Sequence, residues 1–175
     1  MPAGRRWLEA GLVCSLEKFI LDVEGLAMMS RFLNELEINA ETLALEEMAG
    51  QGKILRPSNG KPAASVAFIQ CPGQGSVEDI PYAAGITSMV ALKQANYVRN
   101  DNPDAKAYIF DQHMRTLGQN EYFYKSAQQD EGIFLTKADV AGVSGNGNGS
   151  LVLEAKDTLL GGDIKVNVDL VVLAT

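Results

Sequence analysis

Apolar residues recur at spacings of three and four through the first third of the chain. Leu16, Phe19, Ile20, Val23, Leu26 and Ala27 fall on one helical face, and Phe32, Leu33 and Leu36 extend the stripe. Ser15 stands at the N-cap position, although Lys18 sits where a capping box would have an acid. A second helix is predicted over residues 40–48, ended by Gly50 and Gly52. The period then changes. Residues 65–70, SVAFIQ, form a short apolar run rich in strand formers and predict a buried strand. Helical spacing returns over 85–99, with Ile86, Met89, Val90, Leu92 and Val98 as buried positions. Pro103 turns the chain into a second strand over 105–110, closed by Asp111. Residues 120–129 predict another helix, packing through Tyr122, Phe123 and Ala127. Strands are predicted over 133–143, 150–155, 164–168 and 170–174.

The order βαβαβ followed by further strands predicts an α/β layer fold with a largely parallel core. The late strands, turning through Gly145-Asn146-Gly147-Asn148-Gly149, predict an appended β-meander. That glycine–asparagine tract reads as a flexible turn in preference to a ligand loop. Three parts follow: a helical N-terminal segment over 1–52, a linker over 53–64, and a Rossmann-like α/β domain over 65–175. The linker contains Pro57 and Pro62 around the turn residues Ser58, Asn59 and Gly60.

Among 175 residues, 22 acids outweigh 15 bases, for a net charge of −7. No excess of Lys and Arg is available to displace phosphate counterions, which argues against a nucleic-acid partner. Two cysteines, Cys14 and Cys71, supply neither a disulfide framework nor a four-thiolate metal site. This usage points to a reducing cytoplasm. No apolar run approaches the roughly 20 residues that span a bilayer, so no direct membrane insertion is expected. Arg5 and Arg6 before Leu8, Leu12 and Val13 resemble a short signal peptide. Glu9 interrupts the stretch, however, and no small-residue cleavage site precedes Glu17, so an amphipathic helix is the preferred reading.

A strand, a Gly-rich turn and a helix can hold a phosphate through backbone N–H groups and the helix dipole. Here the turn is Cys71-Pro72-Gly73-Gln74-Gly75. It lacks the third glycine of GxGxxG, and Pro72 removes a donor. Asp111 stands where an acid can bind a ribose hydroxyl, but farther from Gly75 than the usual spacing of about 20. Cys71 has three readings: a buried structural thiol, a nucleophile or a cluster ligand. His113 is the one histidine, and nothing in the spacing brings it to Cys71. If the sheet is parallel, Gln112, His113, Arg115 and Thr116 leave the same edge as the CPGQG turn. They then either face an anionic group or form a solvated loop.

The ordered segments GKILRPSNGKPAASVAFIQCPGQ, PY, SMVALKQANYVR, DAKAYIF, MRTLG, FYKSAQ and AKDTLLGGDIKVNVDLVVLAT resemble the flavoprotein A subunit of heterodisulfide reductase. They are similar also to the flavoproteins of the quinone-interacting membrane-bound oxidoreductase complex. The resemblance runs from about Asn39 to Thr175 and leaves the first 38 residues outside it. It implies a thioredoxin-reductase-like flavoprotein in which this segment is a domain inserted into an FAD-binding domain. The closing VDLVVLAT corresponds to the strand that re-enters the FAD domain, and no N-terminal GxGxxG for FAD is present. The family pattern also carries cysteines at QC-x-G, after PY, and as a CC pair, together ligating an iron–sulfur cluster. Here Cys71 keeps the first position, Ala83 takes the second, and Thr87 and Ser88 replace the pair. Alanine has no donor atom and neutral hydroxyls are poor iron ligands, so an iron–sulfur cluster is not expected in this chain.

The resemblance implies a module of an FAD-dependent electron-transfer oxidoreductase, acting with other subunits of a complex and lacking the FAD-binding half. Residues expected near a cofactor are Cys71, Gly73, Gln74, Gly75, Asp111, Arg115 and Thr116. The alternatives are a non-catalytic scaffold whose helical N-terminal third docks to another subunit, and a thiol enzyme using Cys71.

Overall fold

The computed structural model describes residues 52–56, 59–70, 83–146 and 149–174, with only the backbone at 83–86 and 173–174. The expected N-terminal helices, the CPGQG turn and the tip of the GNGNG turn lie outside the described residues. The elements run β1 (Ser65–Gln70), α1 (Ala83–Asp101), β2 (Lys106–Asp111), α2 (Asn120–Gln128), β3 (Ile133–Gly145), β4 (Leu151–Asp157), β5 (Asp163–Val168) and β6 (Leu170–Ala174). They form one six-stranded sheet in the order β5-β4-β3-β2-β1-β6. The strands β3, β2, β1 and β6 pair in parallel, and β3, β4 and β5 pair antiparallel. The fold is therefore the expected Rossmann-like α/β architecture with an appended meander.

Alternation along the parallel strands explains the layers. Val66, Phe68, Ala107 and Ile109 pack with Ala91, Leu92, Ala95 and Val98 of α1 and Ala127 of α2. Their neighbours Ala67, Ile69 and Phe110 point the other way, into a second core with Val143, Leu151, Leu153, Ala155 and Val168. The antiparallel strands thus curl over the face that the helices leave open. The strand that makes this possible is β3. Residues 133–137 pair with β2, whereas 138–145 pair with β4, and a register shift at Val140/Gly142 marks the bend.

The helix α2 differs from expectation at Tyr122, which is 79% exposed, while Phe123 packs and Ala127 is buried. In so short a helix, Ala127 faces the sheet and Tyr122 stands off that face. Before β1, the connector closes on itself through the Leu55–Pro62 bridge. It is tied down where Asp101 Oδ2 accepts from Ile54 N at 3.1 Å and Asp169 Oδ2 accepts from Ala64 N at 2.9 Å. No helix among the described residues is long and apolar enough to cross a membrane.

Candidate functional site

In a parallel sheet, loops that leave the C-terminal ends of neighbouring strands meet at one edge, and ligands gather there. In this sheet that edge is formed by Gln70 of β1, Asp111 of β2 and Lys137 in β3. The two loops that follow β1 and β2 leave from it. The strand order also reverses here, because β1 has β2 on one side and β6 on the other.

Three separate elements are fastened together beneath this edge. Ser88, fully buried on α1, donates from Oγ to Gln70 Oε1 at 3.1 Å and accepts from the Arg115 backbone N–H at 3.2 Å. One hydroxyl therefore joins the end of β1, the helix and the loop after β2. Gln70 itself is buried, and its Nε2 has no hydrogen-bond partner among the described residues. A buried amide donor without an acceptor costs free energy that an incoming acceptor recovers.

Asp111 is also buried. Burial raises its carboxyl above the ordinary value of 3.8, against the lowering effects of the Met114 N–H and the Lys137 and His113 charges. The carboxylate thus stabilises the turn over 112–114 from below. Beside it, Gln112 Nε2 donates to Asp139 Oδ1 at 2.9 Å, holding the start of the loop against β3. The loop then opens a cleft of about 440 Å³ against α2, lined by Met114, Arg115, Thr116, Leu117, Glu121 and Tyr124. Gly118, at φ +63°, makes the left-handed turn that brings the chain into α2.

Of the residues expected near a cofactor, Asp111, Arg115 and Thr116 are brought to one edge, and the latter two line the cleft. Asp111 lies beneath the loop instead of in the cleft wall. Cys71, Gly73, Gln74 and Gly75 lie outside the described residues, so the thiol reading of Cys71 has no geometry to support it. Sequence reasoning missed the contacts of Gln70 with Ser88. The one signal was a polar side chain closing an otherwise apolar strand. No group of three or more His, Cys, Asp or Glu capable of holding a metal is found among the described residues. Ser88, buried and engaged in two hydrogen bonds, does not fit the role of an iron ligand.

An iron–sulfur A subunit of CoB–CoM heterodisulfide reductase from Methanopyrus kandleri is 34% identical over 126 residues, covering 70% of this chain and 19% of that protein. The corresponding polypeptide of the Methanothermobacter marburgensis heterodisulfide, ferredoxin reductase is 34% identical over 125 residues, again covering 70% and 19%. The iron–sulfur A subunit of the Methanocaldococcus jannaschii enzyme gives 34% over 141 residues, covering 76% of this chain and 22% of that protein. Most of this chain is a segment of the heterodisulfide reductase A-subunit family. The chain spans about a fifth of the length of these curated relatives. Residues 3–54 match a different family model, trimethylamine methyltransferase (MTTB). Among solved structures, the thioredoxin reductase of Lactococcus lactis aligns with a TM-score of 0.46 at 12% identity, covering 91% of this chain and 41% of that one.

Proposed function

We propose that this chain is a module of a flavin-dependent electron-transfer oxidoreductase of the heterodisulfide reductase A-subunit type. It acts with other subunits of an electron-transfer complex, in the cytoplasm. The observation that carries this reading is the 34% identity over 126 residues to the Methanopyrus kandleri protein. FAD, when bound, supplies the electron-transfer chemistry. Gln70 Nε2, buried and without a hydrogen-bond partner among the described residues, fits such a group, because it offers a donor to an acceptor arriving at the strand-order reversal. Arg115 and Thr116 would face the cofactor from the loop. Cys71, Gly73, Gln74 and Gly75 would approach it from the neighbouring turn, and Asp111 would brace the loop from below. No iron–sulfur cluster enters this reading, since Ala83 has no donor atom and Ser88 is spent as a hydrogen-bonding bridge.

The match of residues 3–54 to the trimethylamine methyltransferase family favours a second reading. In it the chain is a scaffold, and its N-terminal segment holds the α/β domain beside methyl-transfer machinery. The visible spectrum of the protein purified without oxygen, with released flavin and iron assayed alongside, separates the readings. Near-stoichiometric flavin, in the chain or in its complex with a partner, supports the oxidoreductase. A colourless protein in both supports the scaffold. Iron at cluster stoichiometry would contradict the assignment of Ser88.

A further inference from the structure

The connector ahead of β1 carries a chemistry that the electron-transfer reading does not use. At its tip Asn59 is followed by Gly60, and both are exposed. In such a pair the backbone nitrogen of the second residue can attack the side-chain carbonyl carbon of the first, and glycine has no β-carbon to obstruct the approach. A bond forms between Gly60 N and Asn59 Cγ, and the Cγ–Nδ2 bond breaks. The amide nitrogen leaves as ammonia, taking the proton from Gly60 N. Water then opens the resulting cyclic imide from either side, leaving an aspartate or a β-linked aspartate.

The folded turn engages both reacting groups. Gly60, at φ +66°, donates from N to Arg56 O at 2.7 Å, so its proton is held by a carbonyl. Asn59 Oδ1 accepts from Lys61 N at 2.9 Å, which pins the carboxamide. Arg56 N donates to Lys61 O at 2.7 Å and closes the same loop. Ring closure must therefore wait for the tip to open.

What resists opening lies at the base of the hairpin. Asp169 grips both limbs: Oδ1 is 3.2 Å from Arg56 Nη1 on the first, and Oδ2 accepts from Ala64 N at 2.9 Å on the second. Between them run the Leu55–Pro62 bridge and the bond from Ala63 N to Ile54 O at 3.0 Å. Asp169 is itself anchored in the sheet, because its N–H donates to Ser65 O at 2.9 Å. An exposed hairpin held at one point opens at a lower free energy than the whole domain.

We propose that Asn59 is a self-modification site gated by the Asp169 clasp. Rearrangement is held off while both limbs are gripped and proceeds in the opened connector. The β-linked product adds a backbone methylene between residues 59 and 60, so Gly60 N no longer returns to Arg56 O in the same register. An opening that lasts long enough to react is thereby written into the covalent chain.

The test incubates the full 175-residue chain in mildly alkaline buffer and follows Asn59 by peptide mass spectrometry. Conversion is expected to be at least about tenfold faster in the urea-unfolded chain than in the folded one. Asp169→Ala, first shown to be folded by its unfolding transition, is expected to react about three to ten times faster than the parent. Val143→Ala, in the second core, to which no described connector residue contributes, leaves the rate unchanged. In the parent the rate should already climb at urea concentrations below the unfolding transition, a measurement that needs no variant. Equal rates in the folded and unfolded chains overturn the proposal, as does a rate indifferent to Asp169→Ala. Equal acceleration by Val143→Ala overturns it too, because the reaction then runs through global unfolding and not through the clasp.

Discussion

A β-carbon on Gly132 would overlap the guanidinium of Arg99. Arg99 crosses the start of β3 from the end of α1, with Nε 2.8 Å from Asp130 Oδ1. Its Nη1 donates to the carbonyls of Pro103 and Ala105. One side chain therefore pins the helix to the turns that start β2 and β3, at the edge opposite the cleft.

Gly132→Ala is accordingly expected to destabilise the domain by about 1–3 kcal/mol, because the displaced guanidinium leaves partly buried acceptors unpaired. Urea unfolding should show a lower midpoint with an unchanged slope. Arg99→Lys should not restore the wild-type midpoint, since an ammonium lacks the planar fork that reaches three acceptors.

Ser88→Ala removes the shared partner of Gln70 Oε1 and the Arg115 N–H. The expected loss is again about 1–3 kcal/mol, the cost of leaving buried polar groups unsatisfied. Amide hydrogen exchange should show the Arg115 N–H losing protection more than that of Phe110, which lies within β2.

Asp111→Asn tests the cost of a buried charge. With its carboxyl held above 3.8 by burial, the folded state retains that proton at pH values where the unfolded chain has released it. The stability associated with the protonated form is full below 3.8 and is lost as pH rises through the elevated folded value. The asparagine variant should remove this slope and be more stable than the parent at neutral pH. Unfolding midpoints measured across the acidic range and at pH 7 check both statements.

Asp169→Ala should free the connector. It deletes the acceptor of the Ala64 N–H and the partner of Arg56, whose Nη1 lies 3.2 Å from Asp169 Oδ1. Limited proteolysis should cut within residues 53–64 faster than in the parent chain. A loss of about 0.5–1.5 kcal/mol is expected, because the Ala64 N–H is exposed and water replaces the lost acceptor.

Much of the architecture was legible because local patterns and tertiary packing agree. The run SVAFIQ is a strand on its own chemistry, and the helical spacing after Gly85 finds Leu92 and Val98 on the buried face of α1, where Ala91 and Ala95 join them, whereas Met89 and Val90 are half-buried and Ile86 is described by its backbone alone. Tyr122 was misjudged because an aromatic at a helical spacing is apolar whether or not the sheet reaches it. The turnover of β3 was also hidden. Residues 133–143 read as one uninterrupted strand, and nothing before Gly142 signals that pairing passes from β2 to β4. The bridge from Gln70 through Ser88 to Arg115 was out of reach for another reason. Its partners lie 18 and 27 residues apart, and only the assembled layers bring them together.

The double allegiance of β3 makes it a lever with two arms. Its outer arm carries the meander, and its inner arm lies beside β2. At the fulcrum, the Lys137 carbonyl is gripped by Thr158 from the turn that carries Leu159 and Leu160. Lys137 is paired in register with Asp111, which sits under the loop bearing Arg115. The leucine turn and the residue beneath the Arg115 loop are thereby joined through one stretch of backbone, at Lys137 of β3.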